Sequence, residues 1–353
     1  MTDLVSMTKE ELAAFLAAAG QPRFRAGQVF TWLHRGAEFS EMTNLPASLR
    51  DYLTEHCLPP YPTVARKQVS ALDGTVKYLF RLHDGAHIES VFMRYHHGNT
   101  LCISSQVGCR MGCRFCASTI GGKVRDLTAG EMLGQVIAAE RDAGERISGI
   151  VLMGIGEPLD NYENVLRFLR LLSDPDGVHI GYRHISLSTC GIVPRIRDLA
   201  QENLPITLSV SLHAATDEKR DAIMPINRRY PIAELLRACG DYFAATGRRI
   251  SFEYTLIAGQ NDTPQDAAAL ATLLRRAFDR PDLPKAAPIH VNLIRVNEVA
   301  ETGFRHGTKE SAAAFARELE KRGVTATVRR RLGADIDAAC GQLRKKYNEE
   351  ADD

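Results

Sequence analysis

The chain has 353 residues and a mass of 39.0 kDa, enough to bury a sizeable core as one large domain with appendages or as two domains. Lysine and arginine number 44 against 43 acidic residues, a net charge of +1 that excludes a protein held to nucleic acid by bulk positive charge. No apolar run approaches the ~20 residues of a membrane span, and Met1-Thr2-Asp3 with Lys9-Glu10-Glu11 resembles neither a signal nor a transit peptide, so a soluble, cytoplasmic protein is expected.

In chain order, the first stretch reads as helical. Thr8-Lys9-Glu10-Glu11 is a capping box ahead of Leu12, Phe15 and Leu16, and Ala26, Val29, Phe30 and Leu33 form a second helical stripe. Pro59-Pro60-Tyr61-Pro62 breaks the pattern. Residues 75–82, 86–95 and 99–105 are rich in β-branched and aromatic side chains, are separated by Asp84-Gly85 and His97-Gly98, and predict strands. Beyond them strand-like runs at 101–105, 149–153, 184–188, 206–212, 250–257 and 289–296 alternate with amphipathic helices, whose starts are marked by Thr128-Ala129-Gly130-Glu131, Pro231 and Pro264. That alternation predicts an α/β fold with a parallel sheet and right-handed crossovers, curved into a partial or complete barrel whose site lies at the carboxyl ends of the strands.

Local charge says more than net charge. Arg66-Lys67, Arg228-Arg229, Arg248-Arg249, Arg329-Arg330-Arg331 and Arg344-Lys345-Lys346 are short basic groups. Each alone is an ordinary solvated face, while together they are compatible with phosphate contacts along RNA.

The chemistry is concentrated in Gly108-Cys109-Arg110-Met111-Gly112-Cys113-Arg114-Phe115-Cys116, which places Cys109, Cys113 and Cys116 at CxxxCxxC spacing after the first of the alternating strands. Three thiolates can hold three irons of a four-iron cluster and leave the fourth open to bind and reduce a substrate. A structural zinc site would need a fourth Cys or His at matching spacing, and none lies nearby. Disulfides fit poorly with eight cysteines spread over 353 residues of a cytosolic-looking protein.

Other motifs follow the later strand ends. Met153-Gly154-Ile155-Gly156-Glu157-Pro158 offers glycines for close backbone approach and a carboxylate for an amino group; Ser188-Thr189-Cys190-Gly191, Ser211-Leu212-His213 and Asn297 follow the next strands. Singly these are turn residues or structural polar groups, and their shared edge is what points to a cofactor pocket.

CxxxCxxC followed by GxGEP resembles the radical S-adenosylmethionine enzymes. Residues 108–119, 183–194, 209–214, 224–229 and 335–343 more narrowly resemble the RlmN family of adenine-methylating RNA methyltransferases, and Phe24-Arg25-Ala26-Gly27-Gln28 resembles that family's N-terminal module. The resemblance implies a partial (β/α)6 radical S-adenosylmethionine barrel with a small helical N-terminal accessory domain. It divides the chain into an RNA-binding domain (1–75), a β extension (76–94), the core (95–330) and a C-terminal segment (331–353).

It also implies residue roles. Cys109, Cys113 and Cys116 would ligate a [4Fe-4S] cluster, and Gly156, Glu157, Ser188, Ser211, Leu212, His213 and Asn297 would contact S-adenosylmethionine, two molecules being used per turnover. Cys340, in Asp335-Ile336-Asp337-Ala338-Ala339-Cys340-Gly341-Gln342-Leu343, matches the methyl-carrying cysteine. Cys102 matches the cysteine that forms a transient disulfide with the carrier, and Glu89 the proton acceptor, although by pattern alone Glu89 reads as an outward strand residue. Cys57, Cys190 and Cys239 read as structural. Relatives commonly have proline in place of Arg295.

The implied reaction is methylation of carbon 2 of an adenine in 23S ribosomal RNA, and of an adenine 3′ of the anticodon in transfer RNA. The ring carbon between two nitrogens is electron-poor and offers nothing to an electrophilic methyl, so a methyl goes first to the Cys340 thiolate. A radical generated from a second S-adenosylmethionine then removes hydrogen from the methylthioether, the carbon radical adds to the ring, and Cys102 releases the product by thiol chemistry. A reductase such as flavodoxin is the implied electron donor, and a monomer is expected. The Cfr branch, which methylates carbon 8, a radical enzyme acting on a non-RNA substrate, and an electron-transfer iron-sulfur protein remain alternatives at this point.

Overall fold

A computed structural model describes residues 1–284, 289–296 and 303–336. The chain opens with three helices, α1 (Lys9–Ala18), α2 (Arg25–His34) and α3 (Ala47–His56). Thr8 caps α1 in a reciprocal box with Glu11, as its spacing predicts. Leu12, Leu16, Val29, Phe30, Leu33, Leu49 and Leu53 are buried along the inward faces. Directed contacts seat this module on the core. Lys9 Nζ lies 2.9 Å from Asp174 Oδ1, Arg167 donates to Glu11 Oε2 at 2.6 Å, and the Gly130 N–H donates to Ser6 Oγ at 2.6 Å.

Four antiparallel strands follow, β1 (Thr63–Val69), β2 (Val76–Arg81), β3 (His87–Tyr95) and β4 (Gly98–Cys102), and then a short separate ribbon of β5 (Gln106–Gly108) and β6 (Lys123–Asp126). After α4 (Ala129–Ala143), strands and helices alternate as β7 (Ile147–Leu152), α5 (Tyr162–Leu172), β8 (Ile185–Thr189), α6 (Val193–Gln201) and β9 (Thr207–Ser211). Next come α7 (Asp217–Ile223), α8 (Ile232–Thr246), β10 (Ile250–Leu256), α9 (Pro264–Phe278), β11 (Ile289–Arg295), α10 (Lys309–Lys321) and β12 (Thr325–Val328). β4 and β7 through β12 are parallel in sequence order, extending the antiparallel strands into one ten-stranded sheet. The sheet is open, with β1 and β12 at opposite edges. This is the α/β partial barrel with a helical N-terminal module that the sequence predicts.

The departures have local causes. β1 lies inside the stretch 1–75 expected to be helical; its residues are mostly solvent-exposed, so it carries no alternating apolar signal and is held by pairing with β2. β12 is an edge strand of four residues, too short for a periodic pattern. The strand expected over 99–105 stops at Cys102, because Ser104 Oγ donates to the Glu89 carbonyl at 2.7 Å and the Ser105 N–H to the Ile155 carbonyl at 2.9 Å. Among the described residues no helix is long and apolar enough to cross a membrane.

Candidate active site at the carboxyl ends of the strands

The cysteine loop begins where β5 ends. Gly108 has φ of 76° and a Cβ there would lie 2.0 Å from the Gly122 carbonyl oxygen, so the ribbon that closes the base of the loop accepts only glycine. Backbone bonds then fix the loop: Cys109 N–H donates to Gly122 O at 3.1 Å and Arg114 N–H to Ile223 O at 2.9 Å. Cys109, Cys113 and Cys116 all line one cavity of about 560 Å³. Burial pushes the Cys109 thiol up to about 12 and also raises the Cys113 thiol. Behind the loop Cys190, Ile223, Met224, Ile257 and Val296 form an apolar layer against which Met111, Cys113 and Phe115 pack.

These residues fit an iron-sulfur cluster. The donors are three soft thiols on one loop, with Met111 and Phe115 beside them on the same cavity wall. The Ser118 hydroxyl, on the same cavity wall, is buried and has no hydrogen-bond partner among the described residues, leaving a polar group to be met by a ligand.

Opposite the loop, β7 delivers Gly154, Gly156 and Glu157. Gly156 has φ of 109°, and a Cβ would come within 2.7 Å of Gln106 Cβ. Glu157 is 4% exposed, accepts the Cys190 N–H at 2.7 Å and the Leu159 N–H at 3.0 Å, and burial pushes its carboxyl up. Ser188 and Ser211, at the ends of β8 and β9, line the same cavity. His213 lines it too, at a left-handed φ of 58° with its ring edge-on to Phe115. Thr255 N–H donates to His213 Nδ1 at 2.9 Å, which places the neutral ring's proton on Nε2, and burial holds the imidazole down to about 3. Leu212 is fully buried and does not line the cavity.

Cys102 reaches the cavity wall from β4, and burial pushes its thiol to about 11. Glu89 is not an outward residue. It is 4% exposed, and its Oε2 lies 3.5 Å from Nζ of the fully buried Lys77. Period-two alternation cannot distinguish this from a solvated face, because it shows which residues share a side of the sheet and not what covers that side. Asn297 and Cys340 lie outside the described residues. The expected Cys102 to Cys340 disulfide is not supported: the cysteines within the described residues are free thiols.

Some residues of the site were not assigned to it beforehand. Cys190, read as structural, lines the cavity, and so do Glu253 and Thr255; Arg295 and the basic group Arg329-Arg330-Arg331, both noted in the sequence, line it as well. Arg220 is fully buried and donates to the carbonyls of Cys190, Ser211 and Leu212, tying the ends of β8 and β9 together. An arginine within an amphipathic helix reads as surface, so only the fold reveals it.

A thiol triad on a glycine-pinned loop, facing a glycine and carboxylate edge across a cavity at the strand ends, defines a radical S-adenosylmethionine protein. Residues 103–271 match the radical SAM superfamily, and residues 2–58 match the ribosomal RNA large subunit methyltransferase N-terminal domain. The chain is 49% identical to the probable dual-specificity RNA methyltransferase RlmN of Lachnospira eligens, over 100% of this chain and 99% of that one. It is 51% identical to the protein of the same description from Pelotomaculum thermopropionicum, over 96% and 90%. A crystal structure of a radical SAM methyltransferase from Sphaerobacter thermophilus superposes with a TM-score of 0.90 at 45% identity, covering 97% of this chain and 99% of that one. The chain belongs to the RlmN family, whose cofactors are a [4Fe-4S] cluster and S-adenosylmethionine.

Proposed function

We propose that this protein methylates carbon 2 of an adenine in 23S ribosomal RNA and of an adenine in transfer RNA, acting as a cytoplasmic monomer supplied with electrons by a reductase such as flavodoxin. The observation that carries the reading is that Cys109, Cys113, Cys116, Gly156, Glu157, Ser188, Ser211, His213 and Cys102 share one cavity. Full-length likeness to relatives described as dual-specificity RNA methyltransferases supplies the substrate class.

When bound, the cluster supplies the electron that cleaves S-adenosylmethionine reductively. The chain does the rest. Cys109, Cys113 and Cys116 hold the cluster, the glycines at 154 and 156 let a ligand approach the β7 edge, and Glu157 receives an amino group. Neutral His213 offers its Nε2–H as a donor that does not compete for charge. Arg329, Arg330 and Arg331 sit on the cavity wall, where RNA phosphates can be neutralised as a base is turned inward. Cys340 carries the methyl, Glu89 accepts the ring proton and Cys102 releases the product.

The test is mass spectrometry of nucleosides from protein-free 23S ribosomal RNA treated anaerobically with reconstituted protein, S-adenosylmethionine and reductant, beside Cys340→Ala. The expected product is 2-methyladenosine from the unmutated protein alone. 8-Methyladenosine moves the reading to carbon 8, and deoxyadenosine release without a methylated base removes RNA as the substrate.

A further inference from the structure

Val91, Met93 and Tyr95 line the cavity from one face of β3, and Glu89 continues that face two residues further along the strand. On β2, Lys77 stands opposite Val91, which in turn stands opposite Cys102 on β4. Lys77, Val91 and Cys102 therefore form one row across three strands, with Glu89 beside it. Lys77 is fully buried, with its ammonium 3.5 Å from the Glu89 carboxylate. The charged groups facing the Cys102 thiol are Lys77, Glu89 and, from the segment after β12, Arg329.

A buried ion pair is a poor stabilising device, since apolar side chains of similar size do as well or better once desolvation is counted. A lysine with no solvent exposure, paired with one of the two residues assigned to product release and in one cross-strand row with the other, calls for a functional reason. A buried glutamate has several rotamers, and a fixed cation on one side selects among them.

We propose that Lys77 is a positioning residue for the release half of the reaction, holding the Glu89 carboxylate on the face of β3 that it shares with the Cys102 row. This rests on the proposed roles of Glu89 and Cys102. Methylation of Cys340 uses neither residue, so Lys77 acts after it.

The experiment separates the halves in the reconstituted full-length protein: mass spectrometry reads Cys340 methylation, and quenched reactions with 23S ribosomal RNA read adduct and methylated product. Lys77→Met is expected to methylate Cys340 normally, to release product at least about tenfold more slowly, and to accumulate the protein-RNA adduct. Lys77→Arg, which keeps the charge, is expected to restore most of the rate. Removing one charge of a buried pair destabilises the fold, so Lys77→Met is also made in Glu89→Gln, where neither charge remains buried. There it is expected to add no further slowing. Unchanged release in Lys77→Met, no rescue by Lys77→Arg, or a double variant much slower than Glu89→Gln alone, overturns the proposal. Absence of Cys340 methylation in the unmutated protein instead removes the reading of the site beneath it.

Discussion

The Arg220 guanidinium donates to the Cys190 carbonyl at 2.7 Å, joining a helix that leaves β9 to the turn that follows β8. Three more bonds run from the same group, to Leu212 O, Ser211 O and Asn227 Oδ1 at 3.1, 3.1 and 2.9 Å. None of these partners is a carboxylate. Arg220 thus works as a polar staple beneath the cavity, and burial lowers its pKa. Arg220→Met leaves the strand-end carbonyls unmet and is expected to cost on the order of 3 kcal/mol or more. A denaturant midpoint moved by less than the equivalent of about 1 kcal/mol would show that the staple is dispensable.

Gly156→Ala tests the approach of cofactor to the β7 edge. The backbone there has φ of 109°, and the new methyl would sit 2.7 Å from Gln106 Cβ. Strain of roughly 1–3 kcal/mol is expected, felt mainly as a tenfold or greater loss of S-adenosylmethionine affinity. Gly181→Ala has open space around it and serves as the control. Equal affinity in both variants, by equilibrium dialysis, would mean that this glycine does not shape the cofactor site.

How far the sequence reached depended on the kind of signal. The parallel strands other than β12 were legible because each is an apolar run bounded by turn residues, and the cysteine loop because three thiols at fixed spacing have few other uses. β1 was not, since Thr63–Val69 is held by pairing and leaves most of its side chains in water. Glu89 was misjudged, and Lys77 and Arg220 drew no notice, for one reason: a charged residue is assumed to face solvent, and only tertiary packing shows that these do not. Cys190 was read as packing, yet its backbone N–H holds Glu157 and its side chain reaches the cavity.

That contrast gives a clean comparison of cysteines. Ala at Cys109, Cys113 or Cys116 removes one of the three thiols proposed as ligands and is expected to abolish the cluster's visible absorption and most bound iron after anaerobic reconstitution. Cys190→Ala, close by in the same wall, is expected to keep both. Retention of a full iron complement by Cys113→Ala, or its loss from Cys190→Ala, would require a different ligand set.

The helical module carries a pH dependence of its own. His34 on α2 stacks on Phe30 with ring centroids 3.9 Å apart, and its Nδ1 accepts the Val178 N–H at 3.3 Å across the contact with the core. Only glycine fits at 177 beside the ring, since a Cβ there would lie 2.5 Å from Nδ1. Burial holds the imidazole down to about 4. The unfolded chain therefore takes up this proton near pH ~6.5 while the folded chain resists until about 4. Between those values the unfolded state binds more protons, so the stability contributed by neutral His34 is complete above the window and lost as pH falls through it, by roughly 3 kcal/mol in all. His34→Asn retains an acceptor near the Nδ1 position and cannot titrate. It is expected to lose about 1–2 kcal/mol of packing at neutral pH and to show a shallower fall in denaturant midpoint on acidification. Some slope will remain, because His213 is also held neutral in the folded state. An unaltered slope in the variant would place the acid sensitivity elsewhere in the fold.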